Sequence, residues 1–403
     1  MFVNNFFLFI LFSIAGTFLG VLTGLIPGLH TNNIAILLLS LTFIFRDKPI
    51  YAGILIVSAA ISHTFLDIIP STFIGAPEED TALVVLPAHS MLMEGKGYDA
   101  VAISAKSSYL AVIVSFAFLL PYKFLIGSPI HFYNILKEIM PWILISISSI
   151  IIFTSDKIKE SLLIYFLSGI FGMVIMNNSM AIFPALAGLF GASTILLSKK
   201  KEMPEQIVEE REYKIKLKDI ASGSVAGGLV AILPGVTSAI ATTIALVMRK
   251  DRSRENAIAI LSAANTATNF FVLSALFIIM KARSGFAIAI SNILPIYEWN
   301  NILAPSMLFL FLSSIIISAT LSFYFTKFIG KLIAKNISKI SYSLILKISL
   351  AIMVAMVIIF SGFMGLLIFI VATFIGLFGL QLGVRRSNFM GILLLPLIIS
   401  GLL

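Results

Sequence analysis

Apolar residues run through this chain in long blocks that short polar interruptions separate. Because an α-helix needs about 20 apolar residues to cross a bilayer, the blocks predict an all-α, polytopic membrane protein with roughly 10 to 12 membrane segments. Several blocks are too short or too interrupted for a simple crossing. The candidate segments are 6–26, 50–69, 100–120, 141–153, 162–176, 257–280, 303–325, 343–360, 362–380 and 389–402.

Two patterns occur in both halves of the chain, in the same order. A glycine-rich stretch that ends in Pro-Gly occurs twice at an offset of 234 − 27 = 207, and residues 58–64 resemble 262–268 at an offset of 204. Small residues at a spacing of four allow any two membrane helices to pack closely, but this does not explain a Pro-Gly pair at the same place in each half. We therefore predict two structural repeats, 1–198 and 220–403, joined by a charged cytoplasmic linker, 199–219. The matching positions are Gly16, Gly20, Pro27, Gly28 and Gly223, Gly227, Pro234, Gly235.

The two Pro-Gly pairs predict broken helices, either half-helices or re-entrant ones. Proline has no amide hydrogen, and backbone groups freed at membrane depth are tolerated only beside protein or a water-filled cavity. The N-termini of half-helices favour anions such as carboxylates, so two of them suit a binding site near the midplane. A simple proline kink, with hydroxyls bonded back to the helix, is the structural alternative. The predicted substrate-binding residues here are Pro27, Gly28, His30, Thr31, Asn32, Asn33, Pro234, Gly235, Thr237 and Ser238.

A second polar set lies inside apolar blocks. Asp67 is flanked by Leu66 and Ile68, and an ionisable group in such a setting is a functional hypothesis, either as a proton carrier or as a cation ligand. Asn265 and Asn269 are candidate substrate ligands, although amides and hydroxyls in membrane helices also join helices to each other. The sequence does not distinguish Na⁺ from H⁺ as the coupling ion.

An acidic stretch, 78–80, follows the first of these blocks, and a basic stretch, 281–285, follows the second. Pro70 and Pro77 frame Ser71 and Thr72, which we assign to substrate binding. Arg283, in the basic stretch of the second half, is a candidate carboxylate clamp. A solvated acidic loop, a salt bridge or a gate are the alternatives. The acidic stretch adds three candidate ion-coupling residues, Glu78, Glu79 and Asp80.

Composition narrows the class of protein. Hydrophobic residues make up 59% and charged residues 12%, which excludes a soluble globular protein and an intrinsically disordered one. The net charge of +9 comes from lysines and arginines in short loops, where they indicate cytoplasmic orientation instead of nucleic-acid binding. One of these predicted loops carries Lys327, Lys331, Lys335 and Lys339. The apolar start has no basic residue before Arg46, which indicates a retained membrane helix instead of a cleaved signal. With no cysteine, neither disulfides nor thiolate metal sites are available.

Several of these stretches resemble a known family, the archaeal branch of the tripartite tricarboxylate transporter large-subunit (TctA-like) family. The resemblance covers essentially the whole chain. It implies a carrier that takes up carboxylates, in bacteria together with a small membrane subunit and an extracytoplasmic binding protein. His30 stands where the bacterial pattern has glycine. The stretches that carry the resemblance are 24–30 (Gly-Leu-Ile-Pro-Gly-Leu-His), 69–83, 86–89 and 93–98, with the second Pro-Gly at 234–235.

The favoured function is a secondary transporter of a small organic anion in the cell membrane, and not an enzyme. No phosphate-binding loop is present, so we expect coupling to a Na⁺ or H⁺ gradient and no cofactor. Whether the chain forms a homo-oligomer or needs partner subunits stays open. A channel is one alternative. The other is an intramembrane metal-dependent enzyme, although its candidate ligands have no His-Glu-x-x-His spacing. Those ligands are His30, His63, Asp67, Glu78 and His89.

Overall fold

The computed structural model describes residues 2–26, 48–75, 85–175, 181–197, 204–209, 211, 213, 215–233, 245, 253–339 and 341–402. All regular secondary structure in these ranges is helical. Eight helices there are long and apolar enough to cross a membrane, and two apolar helical stretches, Ile182–Leu197 and Arg386–Leu402, are shorter. The protein is a multi-pass membrane protein, as the apolar blocks predict.

The helices of the first half are numbered in chain order within the described residues. They are α1 (Phe2–Gly24), α2 (Pro49–Leu66), α3 (Ile68–Phe73), α4 (Val85–Leu92), α5 (Gly97–Ile126), α6 (Phe132–Phe153), α7 (Ile158–Ile175), α8 (Ile182–Leu186), a π-helical turn (Ala187–Ala192) and α9 (Ser193–Leu197).

The helices of the second half follow the charged linker. They are α10 (Leu217–Val230), α11 (Arg254–Ile278), α12 (Gly285–Ile293), α13 (Ser306–Ile337), α14 (Tyr342–Leu382), a 3₁₀ turn (Arg386–Met390) and α15 (Gly391–Leu402).

Two of these helices form the centre of the molecule. α2 and α11 are buried along nearly their whole length, and they pack against each other and against α5 and α13. Hydrogen bonds between them join Asp67 to Asn265 and Ala60 to Asn269, so residue numbers fall on one helix as they rise on the other. The two central helices are therefore antiparallel.

Each central helix has a parallel neighbour that packs through glycines. Gly20 of α1 is so close to α2 that an added Cβ would lie 2.4 Å from the Ala59 carbonyl oxygen. Gly227 of α10 makes the same approach to α11, where a Cβ would lie 2.7 Å from the Ala264 oxygen. Only glycine allows helix backbones to come this close.

A second group of helices lies to the side of the central ones. It consists of α6, α7, the stretch from α8 to α9, α14 and α15. Glycines again set the contacts, with Gly172 of α7 against the Ile392 backbone and Gly188 of the π turn against Phe369. Gly362 has φ 61°, a conformation that glycine adopts without strain, and it divides α14 into two helical segments. This division matches the two separate stretches predicted from sequence.

Three helices extend beyond the apolar segments predicted from sequence. α13 continues well past residue 325 and includes Lys327, Lys331 and Lys335, which sequence reasoning placed in a basic loop. The helix continues because no proline or glycine pair interrupts 306–337 and its buried face keeps contacting α2 and α5. α6 begins at Phe132 instead of 141, since Pro141 is tolerated inside the helix, and α5 extends to Ile126.

Candidate functional site

The clearest polar site of the described residues lies where α2 and α11 cross. The side-chain amide of Asn265 donates a hydrogen bond to Asp67 Oδ2 over 2.6 Å. Asp67 is 3% exposed and Asn265 4% exposed, in the most buried helices of the protein. The structure thus brings together two residues that sequence reasoning selected separately, although 198 positions separate them.

Further polar contacts extend this site along the same two helices. The Thr64 and Thr266 hydroxyls lie 3.1 Å apart, and the Asn269 amide donates to the Ala60 carbonyl over 3.2 Å. Asn269 thus makes a backbone contact of the kind that joins helices, which is the alternative weighed for it from sequence.

Local chain geometry explains why Asp67 reaches this position. Asp67 is the junction residue between α2 and α3, and its carbonyl accepts a bond from the Ser71 hydroxyl over 2.9 Å. Gly24, at the end of α1, packs against Leu66 and the Asp67 amide. Ile26, the last described residue before the first Pro-Gly pair, follows Gly24 by two positions.

Burial makes the negative charge of the Asp67 carboxyl group energetically costly. An ionised carboxylate at the centre of a membrane costs about 3 kcal/mol or more unless it is paired or hydrogen-bonded. The hydrogen bond from the Asn265 amide offsets part of that cost. An ionisable group buried at such a position is a functional hypothesis, either as a proton carrier or as a cation ligand.

Ser71 and Thr72 lie in α3, the short helix that follows Asp67 in the chain. Both are fully buried, and the Thr72 carbonyl accepts a bond of 3.0 Å from His89 Nδ1. Burial lowers the pKa of His89, outweighing the bond to Thr72. The imidazole is therefore neutral at pH 7, with its proton on Nδ1.

The described residues do not support a metal-dependent enzyme. They contain no group of three His, Cys, Asp or Glu side chains that could hold a metal ion. His63 contacts the Thr23 hydroxyl over 3.3 Å, and His89 contacts a backbone carbonyl.

Arg283 is separated from the central site. It follows the end of α11, and Asn265 lies 13 residues before that end, or about 20 Å along the helix. Its guanidinium donates to the Tyr133 hydroxyl and lies over the Tyr133 ring, 5.3 Å from the centroid. A direct role beside Asp67 is thus not supported by this arrangement.

The remaining predicted site residues lie outside the described part of the chain. They are Pro27, Gly28, His30, Thr31, Asn32, Asn33, Glu78, Glu79, Asp80, Pro234, Gly235, Thr237 and Ser238.

Sequence reasoning missed the contacts of the linker. The Gln206 amide oxygen accepts from the Gly97 amide at the start of α5, and its nitrogen donates to the Leu92 carbonyl. Tyr213 donates to Asp99 over 2.8 Å; burial and this bond raise the pKa of Tyr213 to about 12. The linker is therefore attached to the first half. Sequence shows only a polar stretch there.

A buried lysine was also missed. Lys123, in the last turn of α5, is 3% exposed and donates to the backbone carbonyls of Asn300 and Asn301. Its ammonium also lies 5.5 Å from the Trp299 ring. The sequence signal that could have identified it is a lysine close to the end of an apolar block.

Fold and site together define a helical, multi-pass membrane protein with a buried carboxylate between its two central helices. The description of the family whose model matches residues 10–391 is "Tripartite tricarboxylate transporter TctA family". The chain belongs to this family of transporter components, and the resemblance drawn from its residues is confirmed.

A relative has also been found by sequence comparison. The uncharacterized protein MJ1079 of Methanocaldococcus jannaschii is 30% identical, over 97% of this chain and 98% of the relative. No solved structure matches the chain.

Proposed function

We propose that this protein is a secondary transporter of a small organic anion of the carboxylate class, driven by an ion gradient. The observation that carries the proposal is the Asp67–Asn265 pair, buried between the two central helices of a TctA-family chain. A buried ionisable residue in a membrane protein is expected to serve the transport pathway or ion coupling.

We further propose that the halves 1–198 and 220–403, joined by the linker 199–219, are inverted repeats. The contacts of α2 with α13 resemble those of α11 with α5. Between α13 and α2, the Ser318 hydroxyl donates to the Ser58 carbonyl. Between α5 and α11, the Ser108 hydroxyl donates to the Ser262 carbonyl. The offset 262 − 58 = 204 equals that of the sequence match. A two-fold axis that relates two antiparallel helices is perpendicular to both of them. Because α2 and α11 cross the membrane, the axis that relates them would lie in the membrane plane.

This symmetry supports a substrate site at mid-depth. The proposed site consists of the residues after the two Pro-Gly breaks, together with Asn265 and polar groups of α3. Gly24 packs against the Asp67 amide and precedes Pro27 by three positions in the chain, which supports the proposal that the first break lies near the coupling residue. Binding of substrate and of the coupling ion would then be adjacent, as symport requires. The acidic residues Glu78, Glu79 and Asp80 are further coupling candidates.

Orientation follows from the basic residues. One end of the molecule holds the linker, the Glu94–Arg254 ion pair and the C-terminal lysines of α13. The linker lies there because the Ile207 amide donates to the Gly95 carbonyl, just before α5 begins. The end of α13 lies there because Gly330 packs against Val101, near the start of α5. The positive-inside rule assigns this end to the cytoplasm.

Counterflow in proteoliposomes tests the transporter function. Vesicles loaded with unlabelled citrate or a smaller carboxylate are expected to accumulate the labelled compound transiently without an ion gradient. A carrier gives this overshoot and a channel does not. Flux without overshoot would favour the channel, and absence of flux for a panel of carboxylates would contradict the substrate class.

Asn32→Ala and Thr237→Ala are each expected to reduce uptake at least about 10-fold, on the premise that each removes a polar group facing the substrate, worth about 1.5–3 kcal/mol for a bond to a charged ligand. Initial uptake rates of equal amounts of reconstituted protein measure the effect. Ser146→Ala, which removes an exposed hydroxyl bonded to its own helix, is the control. If both variants transport as the parent does, these residues only cap helices.

A further inference from the structure

We propose that the C-terminal turns of α13 bind the phosphate headgroups of anionic lipids in the leaflet at that end of the protein. The surface consists of Lys327, Lys331, Lys335 and Lys339 together with the adjacent exposed residues Tyr324, Phe328 and Leu332, and we call it the lysine ridge. It is independent of the proposed transport site.

The length of α13 sets the position of the ridge. The helix has 32 residues and is therefore about 48 Å long, whereas the hydrocarbon core of a bilayer is about 30 Å thick. About 20 residues from its start at Ser306 are enough to cross that core. Lys327 thus falls near the hydrocarbon boundary, and the later lysines lie in the headgroup region.

The spacing sets the direction in which the lysines face. Residues four apart share one side of a helix, so Lys327, Lys331 and Lys335 form one row, and Lys339 follows in the turn after the helix ends at Ile337. The buried row of the same turns, Thr326, Gly330 and Ala334, packs on α2 and α5, and each member directly precedes a lysine. The lysine row is therefore on the flank of the contact face, and Lys331, Lys335 and Lys339 are exposed.

Apolar side chains accompany this row. Tyr324, Phe328 and Leu332 are all more than half exposed and also recur at a spacing of four. A row of aromatic and aliphatic groups beside a row of lysines suits a lipid, whose acyl chains contact the first and whose phosphate contacts the second. A soluble anion would use only the lysines.

The exposed lysines of the ridge have no acidic residue near them in the sequence. Residues 299–403 contain seven lysines and arginines and no aspartate or glutamate. Within the described part of the chain, Lys331 and Lys335 form no ion pair, and Lys339 bonds only the Asn336 side chain, over 2.9 Å. Arg385, by contrast, pairs with Asp156. The exposed ridge lysines therefore lack an acidic partner in those residues, and lipid phosphate supplies one.

Thermal melting of the purified full chain in detergent tests the proposal. Phosphatidylglycerol is expected to raise the melting temperature, because a ligand that binds only the folded state stabilises it. Phosphatidylcholine with the same acyl chains and free glycerol phosphate are the comparison ligands, and neither is expected to match this shift. Equal shifts with glycerol phosphate would indicate a soluble-anion site, and equal shifts with phosphatidylcholine would indicate a purely apolar surface; either result overturns the proposal.

Charge variants locate the site. Lys331→Gln, Lys335→Gln and Lys339→Gln combined are expected to weaken phosphatidylglycerol binding about 100-fold, at about 1 kcal/mol for each lysine near an anionic surface. The matched control replaces three exposed lysines elsewhere, Lys48, Lys137 and Lys281, and should keep the affinity. Arginine at the three ridge positions should also keep it, which distinguishes lost binding from a misfolded or inverted protein. Unchanged affinity in the glutamine variant would contradict the proposal.

Discussion

Replacing Asp67 by asparagine is expected to abolish ion-driven accumulation of substrate while exchange across the membrane survives. The new amide side chain would keep the size of the original one and could still accept from the Asn265 amide, so the contact between α2 and α11 stays intact. It would not, however, bind a proton or supply a negative charge to a cation. Accumulation should therefore fall to the level measured without an ion gradient, with counterflow as the measure of exchange.

Asp156→Asn is the matched control for this experiment. Asp156 is an exposed carboxylate whose partner is Arg385, 3.3 Å away, and an exposed pair of this kind contributes little to stability. The variant should accumulate substrate as the parent does. If Asp67→Asn also accumulates normally, the coupling role passes to Glu78, Glu79 or Asp80, and the transporter proposal itself still stands.

Gly227→Ala is expected to destabilise the protein by about 1–3 kcal/mol, the usual cost of overpacking. The added methyl carbon would lie 2.7 Å from the Ala264 carbonyl oxygen and 3.0 Å from the Thr268 amide nitrogen, and both are backbone atoms that cannot move alone. α10 would have to separate from α11. The melting temperature of the purified protein in detergent measures the loss.

The adjacent residue provides the control. An alanine at Gly228 would meet only aromatic side chains, at 3.1 Å from Phe271 and 3.4 Å from Tyr122, and side chains can shift by a few tenths of an ångström. Gly228→Ala should melt close to the parent. Equal losses in both variants would indicate that alanine on α10 is unfavourable for a reason other than the α10–α11 contact.

Much of the architecture was predictable because membrane insertion depends on local composition. A block of about 20 apolar residues identifies a crossing helix without any knowledge of its neighbours. The same local reasoning selected Asp67, since its cost in lipid depends only on the apolar residues around it. The same reasoning was wrong for Lys327, Lys331 and Lys335, which it placed in a loop although they lie in α13. An exposed helix end tolerates charged residues as well as a loop does, so polarity alone does not distinguish the two.

The sequence by itself determined the class of protein, the family and the buried carboxylate, all of which depend on residues close together in the chain. Only the tertiary structure decided that Asn265 is the partner of Asp67, that α2 and α11 are antiparallel, and that Arg283 lies at the far end of α11. The physical reason is that contacts between distant segments depend on which helix faces pack together. In an almost uniformly apolar sequence every face has similar hydropathy, so the pattern of apolar residues does not specify the partners.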